Sequence, residues 1–360
     1  MGELKLMKGN EAIAEAAIRA GVDAYFGYPI TPQSEIIEYL ASQKPEERTG
    51  MVLLQAESEV ASINMVYGGA GTGKKCMTSS SSPGISLMQE GLSYLAGAEL
   101  PCVVVNVVRG GPGLGTIQPS QADYFQAVKG GGHGDYKLIV LAPASVQEMS
   151  DFIPLSFDLA FKYRTPVLIL SDGMIGQMME KVELFDHVPR WTEAEIIKNA
   201  PWATTGKLGT RERNIITSLD LDPSRQEKHN EKLQAKYRQI EKDEVRYEKI
   251  LCDDAEYVFV AYGSSARIAQ KAVQLGREKG LKIGLLRPIS LYPFPTKVIQ
   301  DMLGQIKGFL SVEMSAGQMV EDILLAVGRS VKVEHYGRMG GIIHTPGEIL
   351  EVMEQKIIGG

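Results

Sequence analysis

Short apolar, β-rich runs alternate along the first half of this chain with segments patterned as helices, and this alternation restricts the fold more than any other feature. The runs are Met51–Leu54, Cys102–Val108, Leu138–Leu141 and Val167–Leu170, while Glu59–Val66, Ser86–Leu95 and Val146–Phe161 carry helical spacing. A strand that is apolar on every residue, not only on alternate ones, has to be covered on both faces. Interleaved with helices, such strands predict a parallel sheet with helices on each side, an α/β fold. Residues 10–21 read as a further helix, with Asn10 as cap, Glu11 in the first turn and Gly21 as the stop.

A chain of 360 residues has room for two domains of ~150 residues each. From about 186 to 250 the texture changes. Pro189, Trp191 and Trp202 punctuate a loop-like region, and residues 225–249 are dense in charge. There Leu233, Tyr237, Ile240, Tyr247 and Leu251 keep a narrow stripe, which predicts one charged helix connecting the two units. A second α/β unit follows. Its strands are Tyr257–Ala261, Lys282–Leu286 and Gly308–Val312, with Gly263-Ser264-Ser265 as turn and cap before a helix over Ala266–Glu278, and a later helix over Gln318–Val327. The expected division is 1–185, a linker over 186–252, and 253–360.

Bulk properties exclude several classes. A net charge of −6 argues against nonspecific nucleic-acid binding, which is driven by basic surfaces. No apolar run approaches the ~18 residues that cross a bilayer, and Glu3, Glu11 and Glu15 do not suit a signal peptide, so a cytoplasmic protein is expected. Cys76, Cys102 and Cys252 are too widely spaced for a disulfide framework or an iron–sulfur ligand set.

Several motifs fail on inspection. Gly68-Gly-Ala-Gly-Thr-Gly-Lys-Lys75 approaches a phosphate loop, but Lys75 stands where a magnesium-binding hydroxyl belongs, and the glycines lie between a helix and a strand. Gly111-Pro-Gly113-Leu-Gly115 follows a strand without opening a helix at dinucleotide-binding spacing, and reads as a loop beside a site. His133 lies in a glycine loop, and the serines 79–82 have no histidine at a motif spacing.

Three other residues converge. In Gly27-Tyr-Pro-Ile-Thr-Pro32, after a strand over residues 23–28, Thr31 falls where a helix N-cap belongs and Pro32 at the first helical position. Free amides at such a helix end attract a carboxylate or phosphate, although a simple cap explains Thr31 as well. Glu57 and Glu59 follow the run Met51–Leu54, and Glu59 opens a helix, where an ordinary first-turn acid is also stabilised. Arg109 ends the run Cys102–Val108 and points toward the crevice where parallel sheets bind ligands. Thr31, Glu59 and Arg109 are thus placed at one edge of one sheet.

At these positions the chain resembles the 2-oxoacid:ferredoxin oxidoreductases, in the subunit that carries the pyrimidine-type domain of thiamine diphosphate enzymes. The matching segments are Gly27–Pro32, Glu57-Ser-Glu-Val-Ala61, Ser82-Pro-Gly84, Val108-Arg-Gly-Gly-Pro112, Gly131-Gly-His-Gly134, Leu141-Ala-Pro143 and Val312-Glu-Met-Ser-Ala-Gly-Gln318. They span both units.

The resemblance implies a pyrimidine-type parallel-sheet domain followed by a transketolase C-terminal-like α/β domain. It implies that Thr31, Arg109 and Tyr28 contact the substrate carboxylate region. Glu59 would correspond to the acid that protonates the cofactor's pyrimidine ring and helps generate its reactive ylid, with Glu57 as the alternative; Ser82, Pro83 and Gly84 would lie against the cofactor. The reaction implied is oxidative decarboxylation of a 2-oxoacid to acyl-coenzyme A and carbon dioxide with reduction of ferredoxin. The segment around Thr31 favours 2-oxoisovalerate, with 2-oxoglutarate as runner-up. A noncatalytic assembly subunit and a stand-alone thiamine lyase are the rivals from other classes.

A departure from the family pattern bears on assembly. Thiamine enzymes hold diphosphate and Mg2+ through a Gly-Asp-Gly motif with a downstream asparagine, and Asp172-Gly173 is only a fragment of it. The resemblance therefore implies a partner subunit that anchors the diphosphate and Mg2+, iron–sulfur clusters on another subunit, coenzyme A as co-substrate, and a dimer of heteromers.

Overall fold

The structure, a computed structural model, describes residues 3–207, 209 and 211–359. Its strands are β1 (Glu3–Lys8), β2 (Ala24–Gly27), β3 (Val52–Gln55), β4 (Cys76–Ser80), β5 (Cys102–Val108), β6 (Ile139–Leu141), β7 (Pro166–Asp172), β8 (Met179–Leu184), β9 (Tyr247–Ile250), β10 (Tyr257–Val260), β11 (Ile283–Pro288), β12 (Ser290–Tyr292), β13 (Gly308–Glu313) and β14 (Lys332–Gly337). The larger sheet has the order β12-β6-β7-β5-β4-β2-β3 and the second β14-β13-β10-β11-β9. Within each, the pairings are parallel except that β12 runs against β6 and β9 against β11. The expected α/β class is what forms, for the expected reason: every residue of β5 and of β7 is buried.

Two strand pairings escape the apolar-run criterion. β1 and β8 form a separate antiparallel ribbon whose Leu4, Leu6 and Met179 are exposed, so neither strand reads as a buried run. β12 lies far along the chain yet pairs with β6 in the larger sheet, so residues 290–292 close that sheet's edge.

The charged helix spans Pro223–Asp243 and buries Leu233, Tyr237 and Ile240 on the main core. It stops short of its expected end. Tyr247 belongs instead to β9, and both Tyr247 and Leu251 are exposed, so the stripe holds only through Ile240. Glu244 accepts from the Tyr163 hydroxyl (2.7 Å), Lys162 (2.6 Å) and Arg246 (2.8 Å), which fixes the chain at the helix terminus and turns it toward β9. Lys236 at 3.2 Å, and Lys232, reach back to the buried Glu99, so the helix is a strap fastened to the first α/β unit.

The two units are joined by polar contacts at the carboxyl edges of their sheets. Asp172, at the end of β7, caps the helix Gly173–Gln177 and also accepts from Ser264 Oγ (2.6 Å) and Ser264 N (3.1 Å). Gly263-Ser264-Ser265 form the first turn of the helix Gly263–Glu278 rather than a preceding turn, because Tyr262 takes the cap position. Arg287 makes a two-pronged pair with Glu148 (2.7 and 2.8 Å), and Arg267 bonds Glu180 at 2.7 Å.

Candidate active site

β2, β3 and β5 run in the same direction within the larger sheet, so the residues leaving their carboxyl ends emerge on one side of it. Thr31 follows β2, Glu59 follows β3 and Arg109 follows β5, as the sequence places them.

The segment around Thr31 departs from its expected form. The helix begins at Ser34 with Gln33 at the cap position, so Thr31 is not an N-cap and Pro32 is not the first helical residue. The cause is Gln33. Its N–H bonds the Ile30 carbonyl and closes a turn over 30–33, while its buried side chain donates to the Tyr28 carbonyl (2.9 Å) and accepts from Ser79 Oγ (2.6 Å). Ser79 is bonded in turn to the Tyr25 hydroxyl at 2.6 Å. Asn10 is likewise no cap: it lies inside the helix Gly9–Arg19 and donates to the Pro32 carbonyl (2.8 Å) and the Glu35 carboxylate (2.9 Å). The turn is thereby held from both sides, with a cis Thr31–Pro32 peptide and an exposed Thr31 side chain.

Arg109 connects this turn to the rest of the edge. Its Nη1 donates to the Thr31 carbonyl (2.9 Å) and its Nη2 to the Leu114 carbonyl (3.1 Å), whereas Nε is buried without a partner. Both contacts are to neutral carbonyls. The guanidinium charge is met by no carboxylate among the described residues, which suits it to an incoming anion.

Glu59 opens the helix Glu59–Gly71, capped by Ser58, whose Oγ accepts from Ala61 N at 3.2 Å. Only 6% of Glu59 is exposed, yet it has no hydrogen-bond or ion-pair partner among the described residues. A carboxylate so little exposed and without a protein partner marks a place where another polar group fits. Glu57 is exposed and accepts only a long 3.4 Å contact from Ser58 Oγ.

Ser82-Pro83-Gly84 connects the two halves of the site. These residues start the helix Ser82–Gly97, with proline in its first turn. Ser82 Oγ accepts from Arg109 N (3.1 Å) and donates to Arg109 O (3.2 Å), holding the arginine's backbone. A Cβ on Gly84 would stand 2.5 Å from Glu59 Oε1 and 2.0 Å from Ser80 Oγ, so glycine is what lets the acid lie there. The Ser80 and Ser81 hydroxyls are also buried without partners. Beneath them, Ser82 N donates to Asn106 Oδ1 (3.2 Å) and Asn106 Nδ2 to Asp123 (2.8 Å). Burial pushes the Asp123 carboxyl up, against the lowering effect of Asn106 and Ser82. Sequence reasoning missed this pair, although an asparagine inside the apolar run Cys102–Val108 is the signal that points to it.

The unpartnered Glu59, Ser80, Ser81 and Arg109 Nε fit a polar ring and an anion brought to this edge. Two stretches that approach a diphosphate site in sequence are occupied by the protein itself. The buried Asp172 carboxylate is filled by Met174 N (3.0 Å), Ile175 N (3.2 Å) and Ser264. Gly68–Lys75 runs from the helix Glu59–Gly71 into β4, and Lys75 Nζ stands over the Trp191 ring at 5.1 Å.

An acid, an arginine and a proline turn thus lie at one carboxyl edge of an α/β fold, and the family models give the class to which that fold belongs. The family model for the thiamine-diphosphate-binding part of pyruvate flavodoxin/ferredoxin oxidoreductases matches residues 15–249, and that for pyruvate:ferredoxin oxidoreductase core domain II matches 255–349. The chain is 50% identical to ketoisovalerate oxidoreductase subunit VorB of Methanothermobacter thermautotrophicus, over 98% of this chain and 97% of that one. It is 37% identical to 2-oxoglutarate synthase subunit KorA of Methanocaldococcus jannaschii, over 99% and 100%. Among solved structures, the 2-oxoglutarate:ferredoxin oxidoreductase from Magnetococcus marinus, with 2-oxoglutarate, coenzyme A and succinyl-CoA bound, superposes with a TM-score of 0.86 at 29% identity, covering 99% of this chain and 66% of that one. The chain belongs to the 2-oxoacid:ferredoxin oxidoreductases, as one of their subunits.

Proposed function

We propose that this chain is the substrate-gripping subunit of a branched-chain 2-oxoacid:ferredoxin oxidoreductase. In that reaction the bond between the carboxylate and the keto carbon breaks, carbon dioxide leaves, the acyl group passes to coenzyme A, and the electron pair passes through iron–sulfur clusters of other subunits to ferredoxin. Thiamine diphosphate, when bound, supplies the nucleophilic carbon on which this chemistry runs. The observation that carries the reading is Glu59, a buried carboxylate with no protein partner among the described residues, held against Gly84. Glu59 would hold a proton at the pyrimidine ring, and Ser82, Pro83 and Gly84 would form the wall beside it. Arg109 would receive the substrate carboxylate through its unsatisfied donors, with Thr31 and Tyr28 beside it. The exposed Glu57 stays the alternative acid.

The greater identity to the ketoisovalerate subunit than to the 2-oxoglutarate subunit supports 2-oxoisovalerate over 2-oxoglutarate. A partner subunit would hold the diphosphate and Mg2+, since the Asp172 carboxylate is already filled. Leu114, Ile117, Met339, Ile342 and Ile343 are exposed on two touching loops beside Arg109, and we assign that apolar face to this partner within a dimer of heteromers. Residues 1–185 would carry the site, 186–252 the strap, and 253–360 the second domain. Among the described residues no helix is long and apolar enough to cross a membrane.

The test is co-expression with the partner subunits and assay with a low-potential electron acceptor. Glu59→Gln is expected to lower kcat by roughly 10²–10⁴-fold and Glu57→Gln to leave it within about twofold. Near-normal turnover by Glu59→Gln would sink the assignment. A higher kcat/KM for 2-oxoglutarate than for 2-oxoisovalerate would move the substrate to the runner-up.

A further inference from the structure

In an open parallel sheet, ligands bind outside the carboxyl ends of the strands at the point where successive connections diverge. The second sheet has such a point. β10 is flanked on one side by β11, which follows it in the chain, and on the other by β13. The crevice there is lined by Tyr262 and Ser265 after β10 and by Met314 after β13.

It is filled from within the molecule. The buried Gln121 side chain accepts from Met314 N (2.9 Å) and Ser265 Oγ (2.7 Å) and donates to the Tyr262 carbonyl (2.8 Å). Its backbone is held as well: Gln121 N donates to Met314 O (2.9 Å), and the Tyr262 hydroxyl donates to Gln121 O (3.2 Å). A ligand's share of polar contacts is thus taken by one residue of the first unit.

Gln121 sits at the foot of the loop that carries Arg109. Arg109 forms a β-bridge with Pro119, Gly110 N bonds Gln118 O at 2.9 Å, and Thr116 N bonds Gly110 O at 2.8 Å. Ser120 Oγ donates to Met314 O (3.2 Å), so the fastening begins one residue after the bridge. The foot of the loop is braced as well, because a Cβ on Gly341 would stand 2.3 Å from Gln118 Cβ.

From this geometry we infer that Gln121 is a positioning residue for substrate binding: it occupies the second domain's binding crevice as an internal ligand and so sets where the Arg109 guanidinium stands. The inference rests on the reading of Arg109 as the carboxylate grip. Placement of a gripping group by a remote contact is a strong lever, since a 1 Å displacement costs on the order of 10²-fold.

The experiment uses the assembled complex and compares KM for the 2-oxoacid with KM for coenzyme A. Gln121→Ala is expected to raise KM for the 2-oxoacid about 10- to 100-fold while KM for coenzyme A stays within about twofold. Gln121→Glu sets a buried carboxylate oxygen against the Tyr262 carbonyl, where two acceptors repel, so a rise in the same direction is expected. If Gln121→Ala does not assemble, Ser265→Ala carries the test, with a rise of a few-fold expected. Unchanged KM for the 2-oxoacid in an assembled variant overturns the inference, and so does a parallel rise in both KM values, which marks general loosening. Arg109→Lys is the control. If it leaves KM for the 2-oxoacid unchanged, the carboxylate-grip reading fails and the inference with it; if it raises KM where Gln121→Ala does not, the positioning role alone fails.

Discussion

Gly84 has no side chain because Glu59 and Ser80 occupy the space a Cβ would need. Gly84→Ala is therefore expected to displace the Glu59 carboxylate and lower turnover by at least about 10²-fold while thermal unfolding moves little, measured by assay of the complex and circular dichroism of the chain. A loss of stability as large as the loss of activity would instead mark Gly84 as a packing residue only. Glu15 is a contrasting acid. Burial raises its carboxyl, but Arg48 and Arg19 outweigh that and bring it to about 2. Its folded pKa lies below the ordinary 4.5, so its contribution is complete above that value and is lost as pH falls from 4.5 toward 2. Glu15→Ala leaves Arg19 buried without this partner, and a cost of about 3–5 kcal/mol in urea unfolding at pH 7 is expected. Of the two glutamates after β3, spacing alone could not separate exposed from buried, because Ser58 between them takes the cap and turns the chain into the helix.

At the scale of elements, apolar runs read correctly wherever a strand is covered on both faces, as in β5 and β7. They say nothing about the ribbon of β1 and β8, where alternation is short and Leu4, Leu6 and Met179 face outward while Met7, Val182 and Leu184 are buried. The strap Pro223–Asp243 was legible as a charged helix through Leu233, Tyr237 and Ile240, but its end was not. Glu244 ends it through contacts with Lys162 and Tyr163, about eighty positions away in the chain. Ile240→Ala is expected to cost about 2–4 kcal/mol by cavity formation, and an exposed strap residue such as Lys242→Ala less than about 0.5 kcal/mol, both read from urea midpoints. Equal effects would mean that the strap contributes little burial.

Across the whole molecule, one apolar core runs through both α/β units, and within the second unit His344 is buried 3.1 Å from Ser265, whose hydroxyl also donates to Gln121 of the first. Burial lowers the His344 imidazole to about 4, against Glu348, which favours its charge. The folded pKa lies below the ordinary 6.5, so stability is complete above 6.5 and falls as pH drops from there toward 4. A loss of about 2 kcal/mol between pH 7 and pH 5 is expected from this group, and His344→Asn should flatten that part of the profile. A profile unchanged by the substitution would place the titration elsewhere. The sequence by itself determined the α/β class, and that Thr31, Glu59 and Arg109 share one sheet edge, because strand direction and apolar coverage are encoded locally. Only the tertiary structure decided that Gln33 rather than Thr31 meets the helix, that Glu59 is buried and Glu57 is not, and that Gln121 closes the second domain's crevice. Each of these depends on a partner brought from a distant part of the chain, Ser79, Gly84 and Met314 respectively, and no local pattern records such a meeting.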